Sequence, residues 1–194
     1  MRFVDLHKYG PLHRFADYHV YRTLLLLSDG KRRGRKQISE AVKVGEGSMR
    51  TIIEHLREKR MIDVKQTGVK ISSRGLDYIK QLPIRLERLE PSDISIAERN
   101  VAVLVRGKAN QIGLGIEQRD SAIKAGAEGA TTVVVAGNKL VVPPDYCLDA
   151  ERPKISRELR NVFDPAESDV IIIGTATDYE RAEDGALAAA FELL

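Results

Sequence analysis

The spacing of apolar residues divides the chain into two stretches of different character. Up to residue 82, apolar side chains recur every three or four positions, which is typical of amphipathic helices. After residue 100, short runs of Val and Ile are separated by glycines, and such runs favour buried strands. The chain therefore predicts a mainly helical part followed by a part that contains a sheet.

The first stretch predicts four helices and a β-hairpin. Its third helix carries Met49, Ile52 and Leu56 at helical spacing, and Ser48 is placed to cap the first turn. Gly68 lies in the turn between two short apolar runs, which is a hairpin signal. In chain order we expect helices over 14–28, 36–42 and 48–60, strands over 61–65 and 69–72, and a helix over 73–82.

The second stretch predicts a small α/β domain with a mixed sheet. Gly137-Asn138-Lys139 joins two of its strands and predicts a hairpin, so at least one strand pair is antiparallel. The last helix has apolar residues on more than one stripe, which predicts that it packs on the sheet and also on a second protomer. We expect strands over 101–105, 131–136, 140–142 and 170–173, and helices over 116–125, 154–163 and 178–193.

A charged stretch between Pro83 and Pro91 separates the two parts. Prolines flanking a short charged run are typical of a connection between domains. The sequence therefore predicts a first domain over 1–82, a linker over 83–98 and a second domain over 99–194.

The net charge of +3 conceals two opposite charges. Residues 1–92 carry 20 Lys and Arg against 11 Asp and Glu, a net of +9, whereas residues 93–194 carry 11 against 17, a net of −6. Such asymmetry predicts a module that binds a polyanion, joined to a part with another task.

The residues from Gln37 to Ile62, together with Gly68 and the segment 71–75, resemble the core of bacterial and archaeal winged helix-turn-helix transcription regulators. The resemblance covers residues 14–82. It implies a winged helix-turn-helix domain that binds DNA. Few exposed aromatic residues are expected for stacking on bases, which favours double-stranded DNA over RNA.

Charge and position together predict which residues contact DNA. Five cations in six residues precede the second helix, whose N-terminus itself attracts phosphate. The first turns of the third helix face base edges in the major groove, and the hairpin supplies further cations. The predicted contacts are Lys31, Arg32, Arg33, Arg35, Lys36, Ser48, Arg50, Thr51, Arg57, Lys65 and Lys70.

In the second part, a possible ligand site is indicated only by a charged pair that is expected on the inward face of a helix. Ile116 and Ile123 lie seven residues apart and are expected to face the core, which places Arg119 and Asp120 on the same inward face. Such a pair is either a structural ion pair or subunit contact, or it anchors a small-molecule effector. If it anchors a ligand, loops at the ends of strands contribute as well. The candidate ligand residues are Arg106, Lys108, Arg119, Asp120, Thr175 and Thr177.

Residues 115–127 and 174–178 resemble a group of archaeal proteins that join a winged helix to a C-terminal domain of unassigned function. With this match, the resemblance extends over nearly the whole chain. It implies a regulator and names no ligand.

The sequence contains no recognisable catalytic set, so we expect no enzyme, cofactor or metal. No histidine follows His55, and Cys147 is the single cysteine and has no nearby base. The spacing of His7, His13 and His19 is not that of a metal site, and we expect the segment around the first two to be an arm packing on the core or on a second subunit. The absence of a signal peptide, long apolar run or disulfide framework predicts a cytoplasmic protein.

These observations favour a DNA-binding transcriptional regulator, a homodimer whose second domain is a ligand sensor or a dimerisation domain. Two other functions remain open. The second domain could act on a small molecule as an enzyme, with the winged helix as an interaction module, or the winged helix could bind RNA or protein. A turnover assay, and competition between duplex DNA and structured RNA, would separate these alternatives.

Overall fold

The structure is a computed structural model that describes residues 15–90 and 96–194. The chain divides into two compact units, Met1–Leu82 and Pro83–Leu194. The expected arm around His7 and His13 lies outside the described residues. In the described parts of the chain, no helix has the length and apolar character needed to cross a bilayer.

The first unit has the order of a winged helix-turn-helix fold. Its largest buried side chains include Leu24, Ile38, Met49, Ile52 and Leu56, which come from three successive helices. The elements are α1 (Asp17–Leu27), α2 (Arg35–Val42), α3 (Glu46–Glu58), β1 (Ile62–Lys65), β2 (Gly68–Ile71) and α4 (Ser73–Gln81).

Helix α3 begins two residues earlier than the sequence predicts. Gly45 takes the capping position, and Ser48 lies inside the first turn, so the prediction that Ser48 is the N-cap is wrong. The extended backbone at Gly45 lets the turn enter the helix directly, without a side-chain cap. The first turn therefore exposes Glu46 and Gly47 ahead of Ser48.

The second unit confirms the expected α and β class, with one correction to its sheet. Among the described residues, six strands form a sheet in the order β3-β4-β8-β5-β6-β7. Every neighbouring pair in it is antiparallel, so the expectation of a mixed sheet is wrong. The elements are β3 (Ile84–Leu89), β4 (Arg99–Val105), α5 (Ile116–Lys124), β5 (Gly129–Ala136), β6 (Lys139–Val142), β7 (Tyr146–Cys147), α6 (Leu148–Glu151), α7 (Pro153–Phe163), β8 (Val170–Ala176) and α8 (Tyr179–Phe191).

The predicted linker is also wrong in its first part. Strand β3 pairs along its whole length with β4, from Ile84 opposite Val105 to Leu89 opposite Asn100. Leu89 is buried in the core of the second unit. Strand β3 therefore belongs to the sheet, while residues 91–95 of the expected linker lie outside the described residues.

The sheet of the second unit is covered by helices on both faces. Leu159 and Phe163 of α7 share one core with Ile171 and Ile173 of β8. Helix α8 covers the other face, where it packs on β4, β8 and α5. Its apolar residues, such as Leu187, are buried by these contacts, so packing within the unit already accounts for its second apolar stripe. The expected packing of α8 on a second protomer stays a prediction.

Candidate nucleic-acid interface

Helix α3 has one buried side and one exposed side. Met49, Ile52 and Leu56 are completely buried, whereas Arg50 and Arg57 point to solvent. This division is the one predicted from the helical spacing of the apolar residues. The exposed side of α3 is therefore available to a partner.

The polar side chains of α3 are held by weak contacts within the helix. The Arg50 guanidinium donates to the Glu54 carboxylate at 2.9 Å, and both side chains are largely exposed. The Thr51 hydroxyl donates to the Gly47 carbonyl at 3.3 Å. Because an exposed i,i+4 ion pair contributes less than about 1 kcal/mol, Arg50 can exchange Glu54 for another acceptor at little cost.

The backbone of Arg33 joins the loop before α2 to the hairpin. The Arg33 N–H donates to the Val69 carbonyl at 2.9 Å, and the Val69 N–H donates to the Arg33 carbonyl at 2.8 Å. Gly68, with φ +118°, lies so close that a Cβ there would be 2.5 Å from the Arg33 carbonyl oxygen. The loop at Arg33 thus pairs with the hairpin like a short third strand.

The side chain of Arg33 is engaged inside its own loop. Its guanidinium donates to both oxygens of the Asp29 carboxylate at 2.7 Å. The hydrogen bond from Arg33, with one from the Lys31 N–H, holds the pKa of Asp29 far below its usual range, so the carboxylate stays ionised. Arg33 therefore has a structural role, with its charge neutralised by Asp29.

Arg32 connects the same loop to the hairpin. Its guanidinium donates to the Gly68 carbonyl at 2.8 Å and to the Asp63 carboxylate at 2.7 Å. The hydrogen bond from Arg32 lowers the pKa of Asp63. Sequence reasoning missed Asp29 and Asp63, although an acidic residue within four positions of Arg33 was a local signal for the first.

Five other predicted cations remain available. Within the part of the chain that the structure describes, no hydrogen bond or ion pair holds the side chains of these exposed residues. Three lie in the loop and the first turn of α2, and two lie on the hairpin. They are Lys31, Arg35, Lys36, Lys65 and Lys70. With Arg50 and Arg57 on α3, they place positive charge on three consecutive structural features of the first unit.

The candidate ligand residues of the second unit are not brought together. Arg106 and Lys108 follow β4 at the end where Val105 pairs with Val170, whereas Thr175 pairs with Asn100 at the other end. Five residues of strand separate the two ends by about 16 Å. The rule that strand ends meet at one edge requires parallel strands, and here β4 and β8 are antiparallel.

Several polar groups at these two ends form hydrogen bonds within the second unit. The Arg106 guanidinium donates to the buried Asp169 carboxylate at 2.6 Å, and the Gly107 N–H donates to its other oxygen at 2.9 Å. The Thr175 hydroxyl bonds to the backbone of Ala97, and the Thr177 N–H donates to Glu128. These contacts support structural roles in place of ligand binding.

The expectation that Arg119 and Asp120 face inward is wrong. Both side chains are about half exposed and lie 3.4 Å apart. The buried side of α5 is formed by Gln118 and Ala122, because α8 approaches it at Gly185. The close approach of α8 at Ala122 leaves no room for a larger side chain there, and both isoleucines of α5 are turned outward.

The described residues offer no metal centre. Within 15–90 and 96–194, no group of three or more His, Cys, Asp or Glu side chains is placed to hold a metal ion.

Comparison with known proteins identifies a two-domain protein of archaeal type. A family model described as the PH0730-like N-terminal domain matches residues 19–77, and a model described as a domain of unknown function (DUF4443) matches residues 96–193. The chain belongs to the DUF4443 family, whose model covers half of it.

A solved structure, "Hypothetical protein PH0730 from Pyrococcus horikoshii OT3", is similar to most of the chain. It is 28% identical, the match covers 90% of each chain, and the TM-score is 0.68. No curated protein matches the chain.

Proposed function

We propose that the protein is a transcriptional regulator that binds double-stranded DNA through its first unit. The observation that carries this proposal is the exposed side of α3, together with five exposed cations of the same unit whose side chains form no hydrogen bond or ion pair among the described residues. An α-helix fits the major groove, and exposed cations on neighbouring segments fit the phosphate backbone. The first unit has a net charge of +9, which favours a polyanion as its partner.

The proposal assigns different tasks to the polar residues. Ser48, Arg50 and Thr51 lie in the first turns of α3, where side chains reach base edges, so they select the sequence. Arg57 lies two turns further along α3 and contacts the backbone. The cations of the α2 loop and of the hairpin contact phosphates and bind all sequences alike.

The second unit has another task. Its net charge is −6, which repels DNA, and the candidate ligand residues at the two ends of β4 and β8 are not brought together. We propose that this unit joins two copies of the chain, so that two α3 helices reach the two halves of a palindromic site.

The salt dependence of binding tests the proposal. Fluorescence anisotropy with labelled genomic duplexes would measure affinity between low and moderate salt, with structured RNA as competitor. The K31A/R35A/K36A variant removes three phosphate contacts, and each contact contributes about 0.9 to the slope of log affinity against log salt. We expect the slope to fall by about 2.7 for each bound first unit, with the sequence preference unchanged.

A matched variant controls for overall charge. K139A/K154A/R157A removes the same three charges from exposed positions of the second unit and should leave the slope unchanged. If the protein prefers no genomic duplex over any other, or binds structured RNA more tightly, the proposed function is wrong.

A further inference from the structure

Helix α5 presents an apolar stripe to solvent. Ile116 is 45% exposed and Ile123 is 48% exposed, and Leu114, just before the helix, is 60% exposed. Two isoleucines seven residues apart lie on one line along a helix. These three are half of the six large apolar residues that are exposed in the described chain. Such clustering on one short helix and the segment just before it is typical of a contact surface.

Of the four charged residues on α5, the two nearest this stripe flank it on opposite sides. In a helix of 3.6 residues per turn, Arg119 and Asp120 lie about 50° to either side of the line through Ile116 and Ile123. Both are about half exposed and form an ion pair with each other at 3.4 Å, which pairs across a dimer contact could replace at little cost. Each lies near the middle of the stripe along the helix. The surface therefore has an apolar centre, a positive flank and a negative flank.

This arrangement is complementary to itself in one orientation. If two copies of α5 pack in parallel about a two-fold axis along the helices, each isoleucine meets its own equivalent. The positive flank of one copy then meets the negative flank of the other, on both sides of the seam. In an antiparallel pair, Arg119 would instead meet Arg119 of the second copy, and Asp120 would meet Asp120. Charge thus favours a second copy of the chain, packed in the parallel direction.

We propose that the outward face of α5 is the contact between two copies of this chain, packed in parallel. The inference deepens the proposed function, because a two-fold dimer supplies the two α3 helices that a palindromic site requires. Helix α5 has nine residues and is about 13.5 Å long, so the seam is at the small end of known interfaces. The dimer should therefore form in a concentration-dependent way.

Exchange of the two charges tests the contact in the absence of DNA, so that its outcome does not depend on DNA binding. Sedimentation of the full chain over a range of concentrations would measure the dimer dissociation constant. R119D leaves two acidic flanks and D120R leaves two basic flanks, so each variant alone should dissociate at least tenfold more readily than wild type. The R119D/D120R double variant should recover the wild-type constant, because the flanks are again opposite.

Mixing the two single variants gives a sharper result. R119D and D120R should form a heterodimer with each other, although each dissociates alone. An I123K variant should be monomeric, whereas Y146K, which changes an exposed apolar residue in β7, should remain like wild type. Circular dichroism would establish that each variant is folded.

Crosslinking tests the direction of packing. In a C147S background, mild oxidation should join I116C chains to each other, and mixing I116C with I123C chains should yield no mixed crosslink. A wild-type chain that is monomeric at all concentrations, or single variants that dimerise as well as wild type, would overturn the proposal. Crosslinks between I116C and I123C would overturn the parallel orientation.

Discussion

The contact between α5 and α8 makes an unusual prediction for Gly185→Ala. Gly185 lies in the middle of α8, where alanine normally stabilises a helix by about 1 kcal/mol. Here a Cβ would lie well inside van der Waals contact with the Ala127 methyl, and 3.3 Å from the Cβ and carbonyl oxygen of Ala122. Overpacking of this kind costs about 1–3 kcal/mol. We therefore expect a net destabilisation of about 1 kcal/mol where helix propensity alone predicts a gain.

A double-mutant cycle isolates the contact from the propensity. Ala127→Gly removes the methyl group that the new side chain would meet, so Gly185→Ala should be stabilising in that background. The coupling between the two positions should be about 2 kcal/mol. Because the chain lacks tryptophan, calorimetry and far-UV circular dichroism of the full chain would follow unfolding. We expect the midpoint of the second unit to fall by roughly 4 °C in Gly185→Ala.

Gly113→Ala is the matched control, because no atom lies within 4 Å of a Cβ at that position. It should change the midpoint little. If Gly185→Ala raises the midpoint in the wild-type background, or if the two substitutions are additive, then α8 does not approach α5 as closely as the structure shows.

Three further predictions concern single side chains. Gly68→Ala should lower the stability of the first unit by about 1–3 kcal/mol in thermal unfolding, because its Cβ would meet the Arg33 carbonyl and its φ is positive. Burial lowers the pKa of His19 from 6.5 to about 4. The contribution of neutral His19 to the stability of the first unit is therefore fully present above pH 6.5 and should be lost as the pH falls towards 4. Calorimetry at several pH values should show that His19→Gln removes this dependence. Arg106→Ala should destabilise the second unit by about 1–3 kcal/mol in denaturant titration, because it takes a partner from the buried Asp169 carboxylate, and an unchanged midpoint would contradict its structural role.

The elements of the first unit were predictable because their signals are local. A helix is stabilised by contacts within four residues along the chain, so the spacing of Met49, Ile52 and Leu56 identified both α3 and its buried side. Strand β3 was missed for the same reason. Its charged residues and flanking prolines suggest a linker, and only the pairing with β4 shows that it completes a sheet.

The position of the candidate DNA site was predictable from the sequence, but which of its cations have partners within the protein was not. The sequence indicates a cluster of cations, but the partners of Arg32 are 31 and 36 residues away along the chain. No local sequence pattern predicts such a contact. The sequence therefore does not distinguish a cation that binds the hairpin from one that is available to phosphate. In this loop the structure shows that Arg32 and Arg33 are held by hydrogen bonds within the protein, whereas the side chains of Lys31 and Arg35 are not.

By itself, the sequence determined the two-part organisation, the opposite charges of the parts and most of the helices and strands, because composition and periodicity are properties of short segments. Only the tertiary structure decided the direction of each strand, the pairing of the cations and the outward face of α5. Each of these depends on a contact between residues far apart along the chain, such as that of Gly185 with Ala127. The face of α5 shows the difference most clearly. Apolar spacing predicts that Ile116 and Ile123 turn inward, but α5 instead packs with Gln118 and Ala122 on its buried side, where α8 approaches closely at Ala122.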